Sequence, residues 1–238
     1  MCTVTFAVTN NSVIITSNRD ENIDRATTAM PTIHQYNTHQ IIHPTDGKAK
    51  GTWIGVNNNN TIAVLLNGAL HKHTKAINYV RSRGYIIPAI LQTNNAALAI
   101  TKLKLLGVEP FTVLLLEATY LYLYRWNGTA LSTDLLSASR YHIFSSATLY
   151  NSVISHHKNT AFQNYTNNTI VNKESIMDFH QSQYYENWLP SEAAKNNIKT
   201  ISTSQIVVQN NTSTFSYYDY VSNKVTVSNF NNNEVAAC

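Results

Sequence analysis

β-Branched and apolar residues at alternating positions mark Thr3–Val8 and Val13–Ser17 as two strands. Asn10-Asn11 stands between them, a pair suited to a tight hairpin because Asn tolerates positive φ. Trp53–Val56 and Thr61–Leu66 repeat the pattern around the asparagine run at 57–60. The stretch "NNAALAITKLKLLG" at 94–107 has Asn at its start, apolar residues at helical spacing and Gly107 just past its end, which predicts a capped helix. A second helix is expected over Tyr79–Leu91, disturbed near Gly84 and Pro88. Strands follow at Phe111–Leu116, Tyr120–Trp126 and, more briefly, Tyr141–Ser145; helices follow over 148–163 and 173–184. Three further strands lie near Thr200–Val208, Thr214–Tyr220 and Lys224–Val227. Strands at both ends with helices in runs between them predict an α+β fold, helices stacked outside two mainly antiparallel sheets. No internal repeat or Pro/Gly/Ser-rich linker divides the chain, so residues 1–238 read as one domain.

Composition narrows the function classes. Hydrophobic residues make up 43% of the 238 residues and charged residues 13%, enough for a substantial core with a lightly charged surface. No apolar run approaches the roughly 18 residues of a membrane span, and no basic segment precedes an apolar one at the N-terminus. The two cysteines, Cys2 and Cys238, fit neither a zinc site nor a disulfide framework, and the second is expected to fray. A cytoplasmic, reducing setting is the expectation, and the Asn164-Tyr165-Thr166 sequon carries no meaning there. The net charge is +4, with one dense basic stretch at 71–84. No nucleic-acid-binding motif accompanies it, so nucleic acid is not an expected partner.

The first hairpin brings chemistry together. With the turn centred between Asn10 and Asn11, Cys2 falls opposite Arg19, on one face, with Cβ atoms roughly 4.5–5.5 Å apart. Asp20 follows directly. A register slip of one residue would send Arg19 to the other face. Removal of Met1 would leave a thiol and an α-amine on one residue, with ordinary pKa values of about 8.5 and about 7.7–8.0. The amine then serves as base for its own thiol, the logic of N-terminal nucleophile catalysis. Arg19 would favour the thiolate and Asp20 would orient the ammonium. The plainer reading is a small residue opening a strand, beside a solvated ion pair.

"MCTVTF", "SNRDE" at 17–21, Arg25, "GTWIGV" at 51–56 and "LLNG" at 65–68 resemble the NRDE family, which includes the transport-and-Golgi-organisation proteins. The likeness continues through "SRG" at 82–84, "EPFT" at 109–112, "SSATLY" at 145–150 and "DFH" at 178–180. Its N-terminal pattern is similar to that of N-terminal nucleophile hydrolases of the choloylglycine and penicillin V acylase type. That resemblance implies a four-layer αββα sandwich, with Cys2 as nucleophile, Arg19 and Asp20 organising the centre, and Asn67 donating to an oxyanion. Where the acylases carry a second Asn, this chain has Ser145-Ser146, and no arginine in "TISTSQIVV" matches their further Arg. The implied activity is hydrolysis of an amide or acyl (thio)ester bond of a small molecule, with no cofactor. Relatives are also linked to lipid, acyl-CoA and haem handling, which implies the alternative of a non-catalytic haem or acyl-ligand carrier on the same fold.

Other residues complete the candidate set. Asn18 and Glu21 flank the Arg-Asp pair, as support or as turn chemistry. Arg25 is expected to pair with Glu21 at i,i+4 rather than face an anionic ligand. Trp53 lines a pocket or, more simply, the core; Gly68 allows a tight turn after Asn67. His71, His73, Arg81 and Arg83 are candidates for receiving a carboxylate, phosphate or haem propionates, against the plainer reading of a solvated basic loop. His71 and His73 lack a third ligand, so no metal is expected. His156-His157 receive no role, and His180 is expected to be a satisfied core histidine rather than a haem ligand.

Overall fold

The computed structural model describes residues 2–25, 28–74, 76, 78–182, 189–190, 193 and 195–231. Strands β1 (Cys2–Val8), β2 (Ser12–Asn22), β10 (His142–Ser145), β11 (Ile198–Gln209), β12 (Thr212–Asp219) and β13 (Lys224–Asn231) form a six-stranded sheet in the order β10-β1-β2-β11-β12-β13. Strands β3 (Thr28–Tyr36), β4 (His39–Asp46), β5 (Ile54–Asn57), β6 (Ile62–Asn67), β7 (Phe111–Glu117), β8 (Tyr120–Trp126) and β9 (Leu131–Leu136) form a seven-stranded sheet in chain order. Neighbouring strands in both sheets run antiparallel.

The two sheets stack face to face. Val4, Phe6, Ile15, Ile206 and Phe215 of the first pack with Ile42, Ile54, Val64, Leu114 and Leu123 of the second in one buried cluster. Helices α1 (Ile86–Leu91) and α2 (Ala96–Thr101) cover the outer face of the seven-stranded sheet, through Ile87, Ile90 and Ile100 against Leu65, Val113 and Leu115. Helices α3 (Ser152–Asn168) and α4 (Lys173–Gln181) cover the other sheet, through Phe162, Ile176 and Phe179 against Ala7, Ile14 and Val207. The result is an αββα sandwich. Because both faces of β1 and β2 are covered, both sets of alternating side chains are buried.

Several elements differ from the sequence expectation. Only Ile86–Leu91 of the helix expected over Tyr79–Leu91 forms; a 3-10 turn at Arg83–Tyr85 precedes it, and Arg81 makes a parallel bridge to Val108. Gly84 explains the break. A Cβ there would sit 2.9 Å from the Gly51 Cα, so two backbones cross where only glycine fits. The expected helix at 94–107 ends at Thr101, well short of Gly107, and is capped by the Asn95 side chain on the Leu98 N–H at 2.7 Å. The helix expected from 148 begins at Ser152, behind an Asn151 cap. The helix expected over 173–184 ends at Gln181, and residues 183 and 184 lie outside the described residues, as does Cys238.

Strands β3, β4 and β9 were not expected. β3 and β9 are sheet edges; β3 carries Pro31 at a register shift, and β9 is largely exposed, so neither shows a clean buried alternation. The first turn also differs. Neither Asn10 nor Asn11 has positive φ. Instead the Thr9 hydroxyl accepts from the Ser12 N–H at 3.0 Å, and the Thr9 N–H donates to the Ser12 carbonyl at 2.8 Å.

Candidate active site

The register of β1 on β2 pairs Cys2 directly with Arg19. Cys2, Val4 and Phe6 face the inter-sheet core, with Ile15, Ser17 and Arg19 opposite them. Thr3, Asn18 and Asp20 therefore point to the helical side.

Arg19 is 4% exposed and is held from two directions. Its Nη2 donates to Asp46 Oδ2 at 2.6 Å, and its guanidinium carbon lies 4.4 Å from the Trp53 ring centroid. Arg25 reaches the same carboxylate at 3.4 Å and Glu21 at 3.4 Å, so the i,i+4 pair is present within a larger network. Burial raises the Asp46 carboxyl, but the Ala49 N–H, Arg25, Arg19 and the Lys48 N–H outweigh it, and the net displacement is downward. Asp46 was not among the sequence candidates. Its signal was the turn-forming "TDGK", which reads equally well as ordinary loop chemistry.

Cys2, Arg19, Arg25, Asp46, Trp53 and Asn67 line one cavity of ≈ 90 Å³, with Gly51 and Gly84 in its wall. Trp53 is both core and lining: it is 7% exposed and packs in the inter-sheet cluster. A second cavity of ≈ 600 Å³ shares Glu21, Arg25, Asn67 and Arg83 with the first and adds Lys48, Arg81 and Glu109. Arg83 pairs with Glu109 at 3.0 Å, as does His73 at 3.2 Å. Arg81 stacks on Tyr85 at 4.5 Å. His71 lines a different cavity, of ≈ 780 Å³, bounded by Leu66, Ser145 and Tyr150, which does not include Cys2. The four anion-binding candidates are thus divided between separate places.

Asn67 ends β6 and is half-buried in the cavity wall. Ser146 ties it to the thiol-bearing strand: its N–H donates to the Cys2 carbonyl at 2.9 Å and its hydroxyl to the Asn67 carbonyl at 2.8 Å. Gly68 turns the chain at φ +84°, and a Cβ there would meet the Thr148 side chain at 3.1 Å. The Asp20 carboxylate accepts from Tyr150 Oη and from Thr200 Oγ1, each at 2.8 Å. Asn18 donates to the His180 carbonyl at 2.9 Å and its Oδ1 lies 3.0 Å from His180 Nδ1, while His180 Nε2 lies 2.8 Å from Thr5 Oγ1. Both ring nitrogens of this buried histidine are engaged by protein. Burial raises the Cys2 thiol, with Asp20 and Glu21 acting in the same direction and the N-terminal ammonium and Arg19 against them. No cluster able to hold a metal ion exists among the described residues.

The family model for Transport and Golgi organisation 2 (TANGO2) matches residues 1–235. The chain belongs to the TANGO2 family. Among solved structures, this TANGO2-family chain is similar to the Caenorhabditis elegans ortholog of N-acylethanolamine-hydrolyzing acid amidase. The TM-score is 0.63 at 12% identity, over 86% of this chain and 92% of that one. It is also similar to a cysteine-to-alanine mutant of the conjugated bile acid hydrolase from Clostridium perfringens, with a TM-score of 0.53 at 8% identity, over 96% of this chain and 92% of that one. No curated protein sequence matches. At such identities the likeness establishes the fold alone, the αββα sandwich. No helix among the described residues is long and apolar enough to cross a membrane.

Proposed function

We propose that this TANGO2-family protein is an N-terminal-cysteine hydrolase that cleaves an amide or acyl (thio)ester bond of a small molecule. The observation that carries the reading is the meeting of Cys2, Arg19 and Asn67, from β1, β2 and β6, in one small cavity. Removal of Met1 exposes the Cys2 α-amine, which takes the thiol proton. The thiolate attacks the substrate carbonyl, and the side-chain N–H of Asn67 stabilises the oxyanion. The proton passes from the ammonium to the leaving amine or thiol as the scissile bond breaks. Water then attacks the acyl-cysteine thioester, releasing the acid and restoring the thiol. Arg19 favours the thiolate and is fixed by Asp46 and Trp53. Ser146 commits its N–H to Cys2 and its hydroxyl to Asn67, so it acts by joining the two. The structural neighbours are named as an N-acylethanolamine-hydrolyzing acid amidase and a conjugated bile acid hydrolase, and those names support the reaction class.

The test is a hydrolysis screen of small amides and thioesters with protein whose intact mass shows Met1 removed. Cys2→Ala is expected to abolish turnover, and Asn67→Ala to lower it about 10²–10³-fold. Full activity in Cys2→Ala would overturn the proposal.

The ≈ 600 Å³ cavity, with Lys48, Arg25, Arg81 and Arg83 against Glu21 and Glu109, supports a second reading: a carrier for an anionic ligand such as haem or an acyl compound. Saturable change in haem absorbance, weakened by Arg81→Glu, is its expected signature; no saturation with haem and no thermal shift with acyl-CoA would exclude it.

A further inference from the structure

Helix α3 buries only two of its residues, Lys158 and Phe162. Phe162 packs in the core beneath the helix, but an ammonium at 0% exposure is costly unless its surroundings repay the lost hydration. Lys158 Nζ donates to Thr3 Oγ1 at 2.7 Å and lies 3.3 Å from the centroid of the Tyr150 ring. The Tyr150 hydroxyl in turn donates to Asp20 Oδ2 at 2.8 Å. Thr3 follows Cys2 on β1, and Asp20 follows Arg19 on β2. The cluster therefore occupies the reverse face of the two strands that carry the Cys2–Arg19 pair.

Among the described residues, Asp20 of β2 and Tyr150 ahead of α3 act on Lys158, and Lys158 in turn acts on His180 of α4. Burial, then the charge of Lys158, pulls His180 down to about 3, so its ring is neutral. On the Cys2 thiol, burial acts most strongly and raises its pKa; the N-terminal ammonium lowers it, Asp20 raises it, Arg19 lowers it and Glu21 raises it. Asp20 is the carboxylate common to both groups.

We propose that Lys158 is a positioning residue for the Cys2 centre: its ammonium, buried behind the nucleophile strand, counters the field of Asp20 and keeps the Cys2 thiol ionisable. The proposal rests on the reading of Cys2 as nucleophile. Burial brings the Lys158 ammonium down to about 7, opposed by Asp20, so the countercharge is present below neutrality and fades above it.

The test needs no substrate. In the 238-residue chain carrying Cys238→Ser, Cys2 is the sole thiol, and its alkylation by iodoacetamide is followed by intact mass across pH. In Lys158→Met the rate at pH 6 is expected to fall roughly tenfold, the equivalent of about one pKa unit, and to converge on the parent rate above about pH 8. The thermal midpoint of this variant is expected to hold or rise, since a buried ion is replaced by an apolar side chain of similar length. A purely structural role predicts the opposite: a lower midpoint and a faster-reacting thiol at every pH. Tyr150→Phe keeps the ring beneath Lys158 but removes the hydrogen bond to Asp20, and is also expected to slow alkylation at pH 6. A parent-like or faster rate at pH 6 in folded Lys158→Met overturns the proposal. If that variant does not fold, a parent-like rate at pH 6 in folded Lys158→Gln does so. Hydrolysis that depends on Cys2 together with alkylation insensitive to Lys158 would sink this inference alone. Alkylation that depends on Lys158 without any hydrolysis would leave the charge coupling in place and count against the hydrolase.

Discussion

Arg19 delivers its charge to the Cys2 cavity because Asp46 holds one edge of the guanidinium and Trp53 supports its face. Asp46→Asn keeps the shape but leaves Arg19 as a buried cation without its carboxylate, a kind of change that typically costs about 3–5 kcal/mol. Chemical denaturation of the variant is expected to show a loss of that order. The acid limb supplies a second measurement. The folded pKa of Asp46 is depressed, so its contribution is present above the unfolded value of about 3.9 and is lost as pH falls through the folded value. The stability difference between parent and Asp46→Asn should therefore shrink below about pH 4. Sequence spacing paired Cys2 with Arg19, because a hairpin obeys a local register rule, whereas Asp20, expected at the thiol, faces the helical side. It missed Asp46 because that partner comes from β4 of the other sheet, and no local rule reports contacts across a sandwich.

At the scale of elements, the wall of the cavity depends on a backbone crossing. A Cβ on Gly51 would sit 2.6 Å from the Gly84 backbone, and the Thr52 N–H donates to the Gly84 carbonyl at 3.0 Å across the same contact. Gly51→Ala is expected to push the 82–84 segment away, lower the thermal midpoint by several degrees and loosen the Arg83–Glu109 pair. A midpoint unchanged by scanning calorimetry would refute this. The crossing also explains why residues 79–85 do not join α1. Their sequence has helical spacing, but the chain must lie flat against Gly51 before the helix can start. α3 illustrates the reverse case, with its start set locally by the Asn151 side chain on the Ile154 N–H at 2.9 Å.

At the scale of the molecule, the six-stranded sheet is covered on its outer face by polar as well as apolar contacts. His180 is neutral inside this layer, pulled down to about 3 chiefly by burial. An unfolded histidine titrates near 6.5, so between about pH 6.5 and 3 the unfolded chain binds the extra proton. The His180 contribution to stability is full above about pH 6.5 and declines as pH falls, by an amount on the order of several kcal/mol at the acid end. Unfolding free energy followed by urea titration from pH 7.5 to 4.5 should show this slope, and His180→Gln should flatten it. A parent slope retained in the variant would assign it to another group.

The local rules of the chain were sufficient for much of this architecture. β-Branched alternation marked most strands, an Asn marked the start of α2, and the turn between β1 and β2 placed Cys2 opposite Arg19 even though its bonding came from Thr9 and Ser12 rather than from positive φ at asparagine. These features arise from interactions among residues near in sequence, and a pattern can carry them. The tertiary structure decided the rest. It brought Asp46 to Arg19 and joined Asn67 to Cys2 through Ser146. It separated His71 from Arg81 and Arg83, and it buried Lys158 of α3 behind β1, the strand that carries Cys2. Each of those contacts joins segments distant in sequence, and their geometry is set only when two sheets and two helical layers pack together.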